Sequence, residues 1–217
     1  AREDRLHNKK LRAAKIFARA NKLDRVEYSP YEKKIGIISA GKSWLDTVHA
    51  LSLLGIDREE AEKYKLTTLK LGMVWPIDDV FVKDWAYGLD KILIVEEKRG
   101  LIESQVKEAL YGTVNSPKII GKHDDNGELL LPSNGVLDPI IVGKAIANKL
   151  IGSLKSDKRE NALNSMSIGS RSEANTPAPD RIPYFCSGCP HNSSTKVPEG
   201  SLAYAGIGCH TMAIWMD

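Results

Sequence analysis

The sequence predicts an α/β fold, an open sheet flanked by helices, and three observations predict it. Short apolar runs recur at Lys34–Ala40, Thr68–Val74, Lys91–Glu96 and Lys118–Gly121, each short enough for a buried strand. Amphipathic stretches of helical length stand between them, at Ser43–Leu54, Ile77–Tyr87 and Leu101–Tyr111. Glycine or proline punctuates the joins, as at Gly41, Pro76, Gly100 and Pro117. Strands alternating with helices at this spacing need both faces of the sheet covered.

The remaining elements follow in order. Residues 5–20 place Leu6, Ala13, Ile16, Phe17 and Ala20 near one helical face, which predicts a leading helix before Pro30 breaks the chain. Asp124–Asn134 is polar, with Gly127 and Pro132, and reads as a surface excursion. Asp138 then caps a helix with Pro139 in its first turn, ending near Leu150. Residues 153–180 are rich in Ser, Asn, Pro, Lys and Arg, the composition of a flexible linker. The expected organisation is therefore a domain over 1–152, a linker over 153–180 and a new unit over 181–217.

Composition narrows the function classes. In 217 residues, 42% hydrophobic content supports an ordinary core. The net charge of +3 is spread out, and the basic stretch Arg2–Arg25 is interleaved with Glu3, Asp4 and Asp24. That is a solvated helix face and not a nucleic-acid patch. No apolar run approaches the roughly 20 residues that cross a bilayer, so no membrane role is expected.

Several tempting motifs have plainer explanations. Gly41-Lys42-Ser43 after an apolar run, with Gly36 upstream, superficially matches a phosphate loop, but Ile37 and Ile38 make the intervening stretch a strand. Gly41 is expected to be a strand-to-helix turn. Glu96 and Glu97, where an open sheet places ligands, read as a charged domain edge or subunit contact ahead of an acid/base pair, with Lys98 and Arg99 lowering their pKa values. His7, His49 and His123 read as structural or solvated, and Trp44, Trp75 and Trp85 as core or interface residues.

The three cysteines carry the chemistry. Cys186-Ser187-Gly188-Cys189-Pro190-His191 and Gly206-Ile207-Gly208-Cys209-His210 put two thiols on one turn and the third on a second glycine-bearing turn. This spacing suits a metal in a reducing, cytoplasmic setting better than a disulfide framework. Two metals remain open. Zinc can be completed by His191 or His210, while an iron–sulfur cluster needs one further thiolate. The chain opens at Ala1 without methionine and stops at Asp217 after an apolar run, so it is expected to be an internal fragment, with the fourth ligand downstream.

Pro183–His191, Val197–Gly200 and Ala205–His210 together resemble the start of the thiamine-diphosphate domain of the long-form indolepyruvate ferredoxin oxidoreductases, within the 2-oxoacid:ferredoxin oxidoreductases. Upstream, Gly36–Lys42, Leu71–Pro76, Ile94–Arg99 and Gly121–Asp124 resemble that family's transketolase C-terminal-like domain in the same order. The resemblance covers nearly the whole chain except the linker. It implies oxidative decarboxylation of an aryl 2-oxoacid such as indolepyruvate, with coenzyme A taking the acyl group and ferredoxin the electrons. It implies thiamine diphosphate, Mg2+ and a 4Fe-4S cluster as cofactors, with Cys186, Cys189 and Cys209 as cluster ligands. His191, where better-known relatives carry glycine, is implied to face the thiazolium or substrate, and Gly206 and Gly208 to offer backbone amides near the diphosphate. The magnesium motif and the glutamate that activates the aminopyrimidine are implied to lie downstream and upstream. A homo-oligomer is expected by analogy. The rivals are a non-redox thiamine enzyme and a zinc-stabilised interaction module.

Overall fold

A computed structural model describes residues 2–151, 161, 162, 164 and 182–216, in two compact units, 1–170 and 171–217. The first unit contains the sheet. Its strands are β1 (Arg25–Val26), β2 (Ile35–Ala40), β3 (Leu66–Leu71), β4 (Lys91–Val95) and β5 (Lys118–Ile120), in the order β1-β3-β2-β4-β5. All pairings are parallel except β1 with β3, where Val26 lies opposite Leu69.

The helices of this unit are α1 (Arg2–Arg5), α2 (Leu11–Ala20), α3 (Gly41–Leu53), α4 (Arg58–Lys63), α5 (Asp79–Ala86), α6 (Leu101–Leu110) and α7 (Pro139–Ala145). A π-helical turn joins α1 to α2, and another extends α7 to Leu150. Alternate strand residues feed two separate cores. Ile37, Leu93 and Val95 pack with Leu51, Ala61, Val142 and Ile146, so α3, α4 and α7 cover one face. Ile38, Ile92 and Ile94 pack with Val82, Trp85, Ile102 and Val106, so α5 and α6 cover the other. Parallel crossovers are right-handed, and the chain steps from β2 to β3 in one direction and from β3 past β2 to β4 in the other. Reversing direction moves the connecting helices to the opposite face.

Local chemistry sets the boundaries. Asp57, Asp78 and Asp138 each cap a helix, accepting from the backbone N–H of Glu60, Phe81 and Ile141. The apolar run expected over 68–74 becomes a strand from Leu66 to Leu71. It leaves the sheet at Gly72 because buried Asp24 accepts from the N–H groups of Gly72 (2.8 Å) and Met73 (3.3 Å). Burial pushes the Asp24 carboxyl up, against those two hydrogen bonds.

In the leading helix, Leu6, Ile16 and Phe17 are exposed and Ala18 is its buried residue. Ion pairs set this rotation. Lys15 Nζ lies 2.6 Å from Asp79, and Arg19 donates from Nε to Asp78 at 2.7 Å, turning the 15/18/19 side toward α5. Trp44 and Trp85 are buried, and Trp75 is 56% exposed on the turn after β3, so of the core or interface places expected it does not take the core of this unit. His7, His49 and His123 are exposed. The linker expected over 153–180 falls, apart from residues 161, 162 and 164, outside the described residues.

Gly36 has a packing role. A Cβ there would sit 2.6 Å from Trp85 Cη2 and 2.8 Å from Leu89 Cδ1. Gly36→Ala is expected to cost about 1–3 kcal/mol in urea unfolding, since neither neighbour can yield without disturbing the core.

Asp124 anchors the excursion after β5. Its Oδ1 accepts from the N–H groups of Asn126 (2.9 Å) and Glu128 (3.0 Å), and its Oδ2 pairs with Lys149. Chiefly through the Lys149 ammonium, its pKa falls from 3.8 to about 2. A carboxylate with a depressed folded pKa stabilises above its unfolded value and loses that contribution as pH falls through the folded one. Asp124→Asn is therefore expected to lower the urea midpoint at neutral pH, and the gap from wild type should close between about pH 4 and pH 2.

Candidate functional site

In an open sheet, ligands enter at the carboxyl ends of the strands where the winding reverses, here between β2 and β4. The chain's own side chains fill that place. Lys42, in the first turn of α3, sets its ammonium 2.9 Å from Glu97 Oε1 and 2.9 Å from Asp46 Oδ2, and donates to the Leu137 carbonyl. The Leu137 N–H returns to Glu97 Oε1 at 3.0 Å. Lys98 donates to the Gly135 carbonyl. Residues 135–137 are thus laced across the crevice, and the Lys42 ammonium is occupied where a phosphate loop would leave it free. Gly41, at φ 53°, makes the strand-to-helix turn.

Glu96 and Glu97 face different partners. The Glu96 carboxylate is buried and accepts from the N–H groups of Ile102 (2.8 Å) and Glu103 (2.9 Å), capping α6 from outside. Burial pushes its pKa up, while the Lys42 hydrogen bond pulls that of Glu97 down. Lys98 adds to the lowering at Glu97 as expected, whereas at Glu96 burial outweighs the groups that lower it. Glu103 Oε2 accepts from the Lys122 N–H at 2.8 Å, and Lys122 Nζ donates to the carbonyls of Glu96 (2.6 Å) and Pro132 (3.2 Å). Burial pushes the Lys122 ammonium down. These charges satisfy backbone groups and each other, which supports the structural reading of the edge.

The second unit carries the sulfurs. Cys189 N–H donates to the Cys186 carbonyl at 3.0 Å, closing a turn in which Gly188 takes φ 78°. Asn192 Nδ2 ties the same carbonyl at 3.2 Å from α8 (His191–Ser194). All three cysteines are free thiols, with Cys186 and Cys209 exposed. Cys189 Sγ lies 3.2 Å from His191 Nδ1. The His191 ring stacks on Phe185 at 5.3 Å and on His210 at 5.9 Å between centroids. His210 also bends back over the glycine turn, so a Cβ on Gly208 would meet its Cε1 at 3.0 Å and one on Gly206 its Nε2 at 3.6 Å. Cys209 opens a 3-10 segment running to Trp215.

The structure thus brings His191 together with Cys189, and His210 together with Gly206 and Gly208. Sequence reasoning gave Phe185 and Asn192 no role, although both flank the motif. Three free thiols are a soft donor set that suits zinc or an iron–sulfur cluster. Among the described residues no three His, Cys, Asp or Glu side chains converge as a metal-binding group, so Cys209 is not gathered with the CxxC turn. Among the same residues no helix is long and apolar enough to cross a membrane.

Residues 25–173 match the family described as the indolepyruvate oxidoreductase domain. The chain belongs to that family. Its relatives include indolepyruvate oxidoreductase subunits IorA from Thermococcus kodakarensis (30% identity over 84% of this chain and 26% of the relative) and Pyrococcus abyssi (28%, 85% and 26%). The subunit from Methanothermobacter marburgensis is 27% identical over 94% of this chain and 31% of its own length. The chain therefore spans about a quarter to a third of these relatives. Among solved structures, an inactive β4 tetramer of a split-gene transketolase matches at TM-score 0.41 and 23% identity, over 58% of this chain and 41% of that one. A 2-oxoglutarate:ferredoxin oxidoreductase from Magnetococcus marinus matches at TM-score 0.40 and 15% identity, over 58% and 19%. At these scores neither adds to the assignment. Within the indolepyruvate oxidoreductase domain, the matched range contains the whole sheet and its closed edge, and the cysteine turns lie beyond it.

Glu96→Gln keeps one acceptor but turns an NH2 toward the α6 amides, and is expected to cost about 1–3 kcal/mol in denaturant unfolding through the unpaired buried N–H. An unchanged midpoint would show that Glu96 is not held for its cap.

Proposed function

We propose that the chain is an internal part of an oxidoreductase that oxidatively decarboxylates aryl 2-oxoacids such as indolepyruvate. Residues 1–152 form its transketolase C-terminal-like domain, 153–180 its flexible linker and 181–217 the start of its thiamine-diphosphate domain. The overall reaction takes one 2-oxoacid, one coenzyme A and two oxidised ferredoxins to acyl-CoA, carbon dioxide, one proton and two reduced ferredoxins. The observation that carries the reading is the family match over residues 25–173, with free thiols on a closed CxxC turn following in the same chain.

Thiamine diphosphate with Mg2+ supplies the electron sink for decarboxylation when bound, and a 4Fe-4S cluster supplies one-electron acceptance. This chain's residues do the holding. Cys186 and Cys189 offer two thiolates from one turn and Cys209 a third, with the fourth from elsewhere in the full protein. Gly206 and Gly208 carry no side chain to bar a diphosphate from their backbone amides, with the His210 ring beside them, and His191 lies between Cys189 and that ring. Ferredoxin and coenzyme A bind the whole enzyme, a cytoplasmic homo-oligomer.

The test uses the full-length protein prepared without oxygen. Iron and acid-labile sulfide are expected at four each for this site, with broad visible absorption that dithionite bleaches. Cys186→Ser and Cys209→Ser should each lower the iron content and abolish indolepyruvate-dependent ferredoxin reduction. Colourless protein with stoichiometric zinc would overturn the redox reading in favour of a zinc-stabilised module.

A further inference from the structure

Cys189 and His191 are separated by one proline, yet their reactive atoms meet. Pro190, with φ −57° and ψ −26°, turns the chain straight into α8, and this brings Nδ1 to 3.2 Å from Sγ. The imidazole is held there by more than that contact. Phe185 stacks on the ring with 26° between the planes and His210 with 20°. The backbone at His191 is fixed as well, because its carbonyl accepts from the Thr195 hydroxyl at 2.5 Å and from the Thr195 N–H at 3.2 Å. Asn192 ties α8 to the Cys186 carbonyl. A ring packed and tethered in this way loses little further freedom when Nδ1 engages the sulfur.

We infer that His191 is a positioning residue that donates an Nδ1–H hydrogen bond to the Cys189 thiolate and thereby sets the reduction potential of the cluster. The inference rests on the cluster reading proposed above. A metal-bound thiolate has no hydrogen and can only accept, so the hydrogen between the two atoms must sit on Nδ1. Hydrogen bonds to cluster sulfurs stabilise the more negative, reduced state and raise the potential. This role differs from ligation, which would need an Nδ1 lone pair directed at iron. It also differs from contact with substrate, because the nitrogen involved already faces sulfur. Proline and histidine after the CxxC pair then act together, one aiming the other.

The experiment is a redox titration followed by electron paramagnetic resonance on full-length, anaerobically prepared protein, with iron and sulfide counted in each sample. His191→Phe keeps the stack with Phe185 and His210 but removes the donor. His191→Asn restores an N–H near the position of Nδ1. The inference expects wild-type iron in both variants, a midpoint shifted to more negative potential in His191→Phe, and a partial return in His191→Asn. An unchanged midpoint in His191→Phe would overturn it and leave the ring a stacking role. Loss of iron, or a three-iron signal, in His191→Phe would overturn it in favour of ligation. Wild-type protein with zinc and no cluster would overturn the underlying function instead, which separates the two failures.

Discussion

The chain must stop β4, cross the carboxyl edge of the sheet and start α6 within a few residues, and charged side chains make that passage possible. A buried helix start leaves backbone N–H groups without intrahelical acceptors. Glu96, the residue after β4, turns inward and accepts from two of them. Glu97 turns the other way, so its carboxylate meets Lys42 and the Leu137 N–H. One pair of adjacent carboxylates thus fixes the start of α6, the start of α3 and the course of residues 135–137. Lys122, two residues after β5, closes the set by bonding the Glu96 and Pro132 carbonyls. The cost of burying Glu96 and Lys122 appears in their opposed pKa shifts, and the backbone groups they satisfy offset it.

Much of this architecture was legible because period and punctuation are local. The strands at 35–40, 91–95 and 118–120 and the helices α3, α5 and α6 follow from apolar runs bounded by Gly, Pro or Asp. What escaped was short or non-local. Strand β1 has two residues and exists because Val26 meets Leu69, a pairing no window around Val26 contains. Helix α4 has six residues, although Asp57 followed three residues later by Glu60 is the sequence mark of a capped start. The rotation of the leading helix was not legible, because ion pairs reaching Asp78 and Asp79 set which face turns to α5. Similarly, the strongest influences on Glu97 are Lys42 and the Leu137 N–H, distant in sequence, and adjacent Lys98 is a smaller one.

The sulfur unit divides the same way. The CxxC turn was legible, since Gly188 supplies a positive φ and the two cysteines sit on one closed turn. The environment of His191 was not, because Phe185 precedes the motif and His210 follows it at a distance that sequence does not fold. Metal closure is a further step removed. Cys209 opens the separate 3-10 segment and is not gathered with the CxxC turn among the described residues. The contact already in place, Cys189 Sγ with His191 Nδ1, needs no metal, since one thiol and one imidazole attract through a hydrogen bond in either protonation arrangement.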